Sequence, residues 1–234
     1  MDKIIALALI GLISEILGTI GGFGSSMFFV PLSAYFFSFQ TILGVTALFH
    51  VFSNINKIVF FKKGFDKRLI LYLGIGAVLS NYLNAKILEL ILSIFLIVLS
   101  GIVLIFPNIK INPDNKNAVI GGIFSGVLAG LLGTGGAVRG LVLASFNLSR
   151  DVFIASSAII DLGIDISRSV VYISQGYLPK ESWIYIPVLI IVSILGTWIG
   201  KKILEKIDEK YFKKMVLGLI LTTGIISLFR ISGV

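Results

Sequence analysis

The chain has 234 residues, 56% of them hydrophobic and only 14% charged, with a mean hydropathy of +1.02. A soluble globular protein carries about 25% charged residues to cover its surface, so this composition excludes a cytosolic enzyme and indicates a polytopic membrane protein. The balance of 20 Lys and Arg against 12 Asp and Glu gives +8. In a membrane protein that excess belongs to cytoplasmic loops rather than to nucleic acid.

The absence of cysteine removes disulfides, thiolate metal sites and a Cys nucleophile. No cofactor or metal site is expected. Met1-Asp2-Lys3 followed by IIALALIGLI imitates a secretory leader, but no A-x-A-like site follows and the apolar pattern continues. It reads as the first span.

Apolar segments follow at roughly 4–20, 26–39, 41–61, 69–85 and 88–106. After a polar stretch at 107–117 they resume at roughly 118–133, 137–148, 152–174, 183–200 and 212–231. One straight helix over 4–39 would be about 54 Å long, against a hydrocarbon core of about 30 Å. The chain must therefore break near Gly21-Gly22-Phe23-Gly24-Ser25-Ser26, and a second glycine cluster, Gly133-Thr134-Gly135-Gly136-Ala137, predicts a matching break.

A shift of 111 residues lays the first half on the second. It pairs Gly11 with Gly122, Ser14 with Ser125, Gly22 with Gly133, Gly24 with Gly135 and Ala47 with Ala158, and sets GVTAL (44–48) on ASSAI (155–159). The expected organisation is therefore a first transmembrane repeat over 1–106, a cytoplasmic linker over 107–117 and a second repeat over 118–234. The strongest basic loops, 62–68 and 201–214, follow the third segment of one half and the fourth of the other. Placing both in the cytoplasm makes the halves opposite in orientation. The expected fold is an all-α, multi-pass cell-membrane protein of two inverted-topology repeats, about five helical segments each, with Gly-broken or re-entrant helices near the midplane.

Two constellations could carry chemistry. Each glycine break frees backbone N–H groups that must be buried or face water, and the start of the following half-helix suits an anion. Gly22, Gly24, Ser25 and Ser26, with Gly133, Thr134, Gly135 and Gly136, are the candidate anion donors. Close packing through small residues is the competing explanation.

The second constellation is the set of ionisable residues inside spans, which are costly in lipid. His50, Asn54 and Lys57 lie at i, i+4 and i+7 on one helical face. Asp161, Asp165 and Arg168 have the same spacing, and the 111-residue shift maps each onto its counterpart. An ion pair serving only packing, Asp165 with Arg168 or Asp161 with His50, is the alternative. Glu15 precedes the first break and Arg139 follows the second. Lys57, Arg139 and Arg168 are candidates for anion charge complementarity; His50, Asn54, Asp161, Asp165 and Glu15 are candidates for proton coupling.

The stretch G-F-G-S-S-M-F-F-V-P (22–31), with G-L-L-G-T-G-G-A (130–137), resembles the sulfite exporter TauE/SafE family of membrane permeases. There each half opens with a G-x-G-G-G segment, the first commonly running into V-P. Ser25, Ser26 and Ala137 depart from that pattern. The resemblance implies transport of sulfur-containing anions such as sulfite, thiosulfate or sulfonates, often outward, and carries substrate residues only onto the two Gly-rich segments. It also implies seven or eight spans, which agrees with ten segments only if the Gly-rich segments are re-entrant. The expected partners are a small anionic substrate and the lipid bilayer, without nucleic acid; a homodimer is one oligomeric state open to it. A passive anion channel shares all these features, and an intramembrane enzyme built on Asp161 and Asp165 is the alternative of a different class.

Overall fold

The computed structural model describes residues 2–22, 24–62 and 148–232, together with a few positions between 94 and 144. Among the described residues every regular element is a helix. In chain order these are α1 (Asp2–Gly21), α2 (Ser26–Ser33), α3 (Phe39–Phe60), α4 (Arg150–Ser174), a 3-10 turn (Lys180–Ile184), α5 (Tyr185–Leu204) and α6 (Glu209–Ser232).

At about 1.5 Å per residue, α1, α3 and α5 match the apolar thickness of a bilayer. Among the described residues, three segments are long and apolar enough to cross a membrane: Lys3–Gly21, Gln40–Phe60 and Lys180–Leu204. The chain packs as two compact units, Met1–Lys62 with Ala158–Lys206, and Lys63–Ser157 with Ile207–Val234.

In the first unit the break expected after α1 is present. The chain leaves α1 through Gly22 at φ 71° and Gly24 at φ 102°, a left-handed backbone that side chains disfavour. It then folds back so closely that a Cβ on Gly18 would lie 2.6 Å from the Ser25 backbone. The eight residues of α2 rise only about 12 Å, too short to cross. The apolar stretch read as reaching 39 instead turns after Ser33. Ser38 caps α3, its Oγ accepting the Thr41 N–H at 3.3 Å, which satisfies an orphan donor of the first turn.

The other end of α3 is closed from α5. Lys201 Nζ donates to the Phe60 carbonyl at 2.8 Å, suiting a helix C-terminus. An apolar cluster of Leu7, Phe29, Val45, Phe49, Ile186 and Leu189 joins α1, α2, α3 and α5. Phe29 and Phe49 pack with ring centroids 4.9 Å apart. Along α5, Gly196 and Gly200 present no side chain to α1: a Cβ on Gly196 would lie 2.7 Å from Glu15 Cβ, and one on Gly200 2.7 Å from Thr19 Cβ. This G-x-x-x-G spacing lets two backbones approach at one point, and that point is Glu15.

In the second unit, Phe153 meets Phe212 edge-on at 5.5 Å, and Arg150 Nη1 donates to the Ile207 carbonyl at 3.1 Å.

Candidate functional site

Glu15 lies in the middle of α1 with no exposed surface. Unpaired, a carboxylate there would be very costly, and the fold surrounds it with donors. Lys57 Nζ is 2.8 Å from Oε1. Ser53 Oγ donates to Oε1 at 2.7 Å, Thr197 Oγ1 at 2.9 Å and Thr19 Oγ1 at 3.2 Å. Ser25 Oγ donates to Oε2 at 2.8 Å. Four segments contribute: α1, the start of α2, α3 and α5.

Lys57 Nζ also donates to Ser53 Oγ at 2.6 Å. Ser53 has one proton, given to Glu15, so it accepts from the ammonium and passes that polarisation on. Both Lys57 and Ser53 are buried.

A second layer is joined through Ser25. Its Oγ is 3.1 Å from His50 Nε2. With its only proton on Glu15, Ser25 can only accept here, which makes the imidazole Nε2 an N–H donor. The opposite ring nitrogen, Nδ1, faces Asp165 Oδ2 at 3.6 Å. Asp165, buried on α4, also accepts from Asn54 Nδ2 at 3.0 Å and pairs with Arg168 Nη1 at 3.4 Å. Arg168 is partly exposed and stands over the Tyr172 ring at 5.5 Å from its centroid.

The two faces read from the sequence therefore come together, with partners that spacing alone did not give. His50 meets Asp165 rather than Asp161. The Asp165–Arg168 pair forms as one of the packing options anticipated. Asp161, a turn earlier, is half-buried and interacts electrostatically with Arg168. Lys57 turns from that face to Glu15. Ser25 spends its hydroxyl on Glu15 instead of capping α2, which has no side-chain cap. Gly22 and Gly24 lie in the break, and Ser26 opens α2. Gly133, Thr134, Gly135, Gly136 and Arg139 lie outside the described residues.

Three members were not singled out from the sequence: Ser53, Thr19 and Thr197. Ser53 shares the face of His50, Asn54 and Lys57 at i+3 from His50, and Thr197 sits inside the G-x-x-x-G of α5. Those positions were the available signals.

Chemically, this is a string of groups that hold or pass protons, Asp165, His50, Ser25 and Glu15, ending at a buried ammonium. Among the described residues no group of His, Asp or Glu is arranged to hold a metal ion. Ionisable residues within membrane spans are costly in lipid, and here they pair with one another in the interior.

Known proteins place the array in context. Over 257 aligned residues the chain is 26% identical to the "Probable membrane transporter protein MJ0441" of Methanocaldococcus jannaschii, an alignment covering 96% of this chain and 94% of that protein. No solved structure matches it. The profile of the sulfite exporter TauE/SafE family matches residues 7–226. This is a membrane-integral protein, and the chain belongs to the sulfite exporter TauE/SafE family.

Proposed function

We propose that this chain is a proton-coupled secondary transporter that exports a small anion of the sulfur oxyanion or organosulfonate class. The observation that carries the reading is the fully buried Glu15 carboxylate held by Lys57 and four hydroxyls, and linked through Ser25 to His50. Family membership and the transporter relative support transport over catalysis. The family description supports a sulfur-containing anion as the substrate.

In this reading Gly22, Gly24, Ser25 and Ser26, with Gly133, Thr134, Gly135 and Gly136, are the candidates for binding the anion, and Arg139, Lys57 and Arg168 the candidates for supplying positive charge. Glu15, His50, Asp161 and Asp165 carry the proton, and Asn54 orients Asp165. A carboxylate and an imidazole joined by hydrogen bonds can move a proton without moving the backbone, which suits coupling to a gradient.

The test is flux of sulfite, thiosulfate and methanesulfonate in proteoliposomes under an imposed proton gradient. Gradient-driven uptake of at least one of them is expected, with Asp161→Asn and Arg168→Ala each reducing it. If both variants keep wild-type flux and pH dependence, the site assignment is wrong. Flux that ignores the proton gradient would identify a passive anion channel instead.

A further inference from the structure

We propose that the Glu15 carboxylate sits in the place of the transported anion, and that a proton passed from His50 through Ser25 to Glu15 opens that place. This rests on the anion-transport reading above.

The donor set is that of an oxyanion site. One ammonium (Lys57) and three hydroxyls (Ser53, Thr19 and Thr197) converge on Oε1, and a fourth hydroxyl (Ser25) on Oε2. A hydroxyl rotates to suit its acceptor, so the same groups can serve sulfite or a sulfonate once the carboxylate withdraws. Asp165, the carboxylate on the far side of His50, is engaged by His50, Asn54 and Arg168. The arrangement is an anion site filled by the protein's own anion.

The proton step balances within the groups present. With His50 as imidazolium, its Nε2–H bond breaks and an H–O bond forms at Ser25. The former Ser25 O–H proton moves to Glu15 Oε2. The products are neutral imidazole, a neutral Glu15 carboxylic acid and a Ser25 hydroxyl now pointing at Nε2. Asp165 opposite Nδ1 stabilises the imidazolium before transfer, and any later proton reaches His50 from that side.

Neutralising Glu15 leaves the buried Lys57 ammonium without its counter-charge, a costly state that an incoming anion relieves. Among the described residues, the ionisable groups around this point are Glu15 on α1, His50 and Lys57 on α3, and Asp165, Arg168 and, further out, Asp161 on α4. The face of α5 contributes the Thr197 hydroxyl; Lys201 of α5 is held at the Phe60 carbonyl. Protonation and anion binding at this site are therefore coupled, and the anion binds more tightly as pH falls.

The test uses the full-length purified protein with sodium thiosulfate and sodium methanesulfonate, which stay ionised from about pH 5 to about pH 8, the range in which an imidazole changes charge. Calorimetry in buffers of different ionisation heat should show uptake of about one proton per anion bound near pH 7. Wild-type affinity should weaken by up to about tenfold per pH unit on the alkaline side. Glu15→Gln should bind at least about tenfold more tightly than wild type near pH 8, and change less than about twofold across the range. The double variant Glu15→Gln/Lys57→Met should lose that gain. Anion binding by wild type without proton uptake, or a Glu15→Gln protein with the wild-type pH slope, would overturn the proposal while leaving anion transport intact. Proton uptake is measured on the wild type, so the proposal stays testable if a variant fails to fold. Absence of binding and flux for every sulfur anion tried would instead overturn the transport reading itself.

Discussion

Asn54 and Asp165 are hydrogen-bonded, Nδ2 to Oδ2 at 3.0 Å, and stand 111 positions apart, the shift that lays one half of the sequence on the other. The pair is chemically unequal. An amide opposite a carboxylate gives a donor and an acceptor, whereas two aspartates at that distance could not both be ionised.

Asn54→Asp tests this relationship. Two carboxylates that close share one proton in the folded protein and none once unfolded, so the folded state binds the extra proton and loses stability as pH rises. The melting temperature of Asn54→Asp should approach wild type near pH 5 and fall below it near pH 8, around the range of imidazole titration. A constant offset across that range would mean that the two side chains do not face each other in the folded protein.

The same site shows what a sequence can and cannot reveal. Spacing alone placed His50, Asn54 and Lys57 on one face and Asp161, Asp165 and Arg168 on another, and hydropathy placed the break at residues 21–25. Periodicity gives the face of a helix but not which side chain reaches across to which partner. Thus Lys57 reaches Glu15, and Asp165, not Asp161, meets His50. The hydroxyls of Thr19, Ser53 and Thr197 were hidden because such residues are ordinary in membrane helices; Thr19 reaches Glu15 from the next turn of α1, Ser53 from α3, and Thr197 through the approach of α5 at Gly196. The stop after Ser33 was masked by apolar residues continuing through Ala34 to Phe37, with Ser38 as the one polar sign of a new helix.

The 111-residue correspondence in the sequence is also unequal at Glu15. Adding 111 gives position 126, a glycine, so the second half has no counterpart carboxylate and Lys57 alone of the mates Lys57 and Arg168 has a Glu15 to pair with. Removing one partner of a buried ion pair costs about 3–5 kcal/mol, and replacing both can be nearly neutral. Lys57→Met should therefore lower the thermal stability of the purified protein strongly, and Glu15→Gln/Lys57→Met should restore most of it. Additive losses in the double variant would show that the two groups do not interact.

The opposite orientation of the two halves expected from the sequence is tested by labelling, made simple by a chain without cysteine. Single cysteines at Gly64 and Lys206, in the two basic loops, should behave alike toward an impermeant thiol reagent. Both should be protected in intact cells and both should react in inside-out vesicles. Labelling of one and protection of the other would rule out an inverted pair with both loops in the cytoplasm.

Gly196 links helix packing to the site. A methyl added there would lie 2.7 Å from Glu15 Cβ and 2.8 Å from its Cγ, closer than nonbonded carbons approach, so α5 or Glu15 must shift. Overpacking of this kind costs about 1–3 kcal/mol. Gly196→Ala should lower thermal stability by that order, and because the displaced atoms carry the carboxylate, anion flux should fall more than stability alone explains. Gly218 in α6 provides the control: among the described residues nothing lies within 4 Å of a Cβ built there, and alanine favours a helix over glycine by about 1 kcal/mol. Gly218→Ala should be neutral or stabilising, with flux unchanged. If Gly196→Ala matches Gly218→Ala in both measurements, the close approach of α5 to Glu15 does not set the geometry of the site.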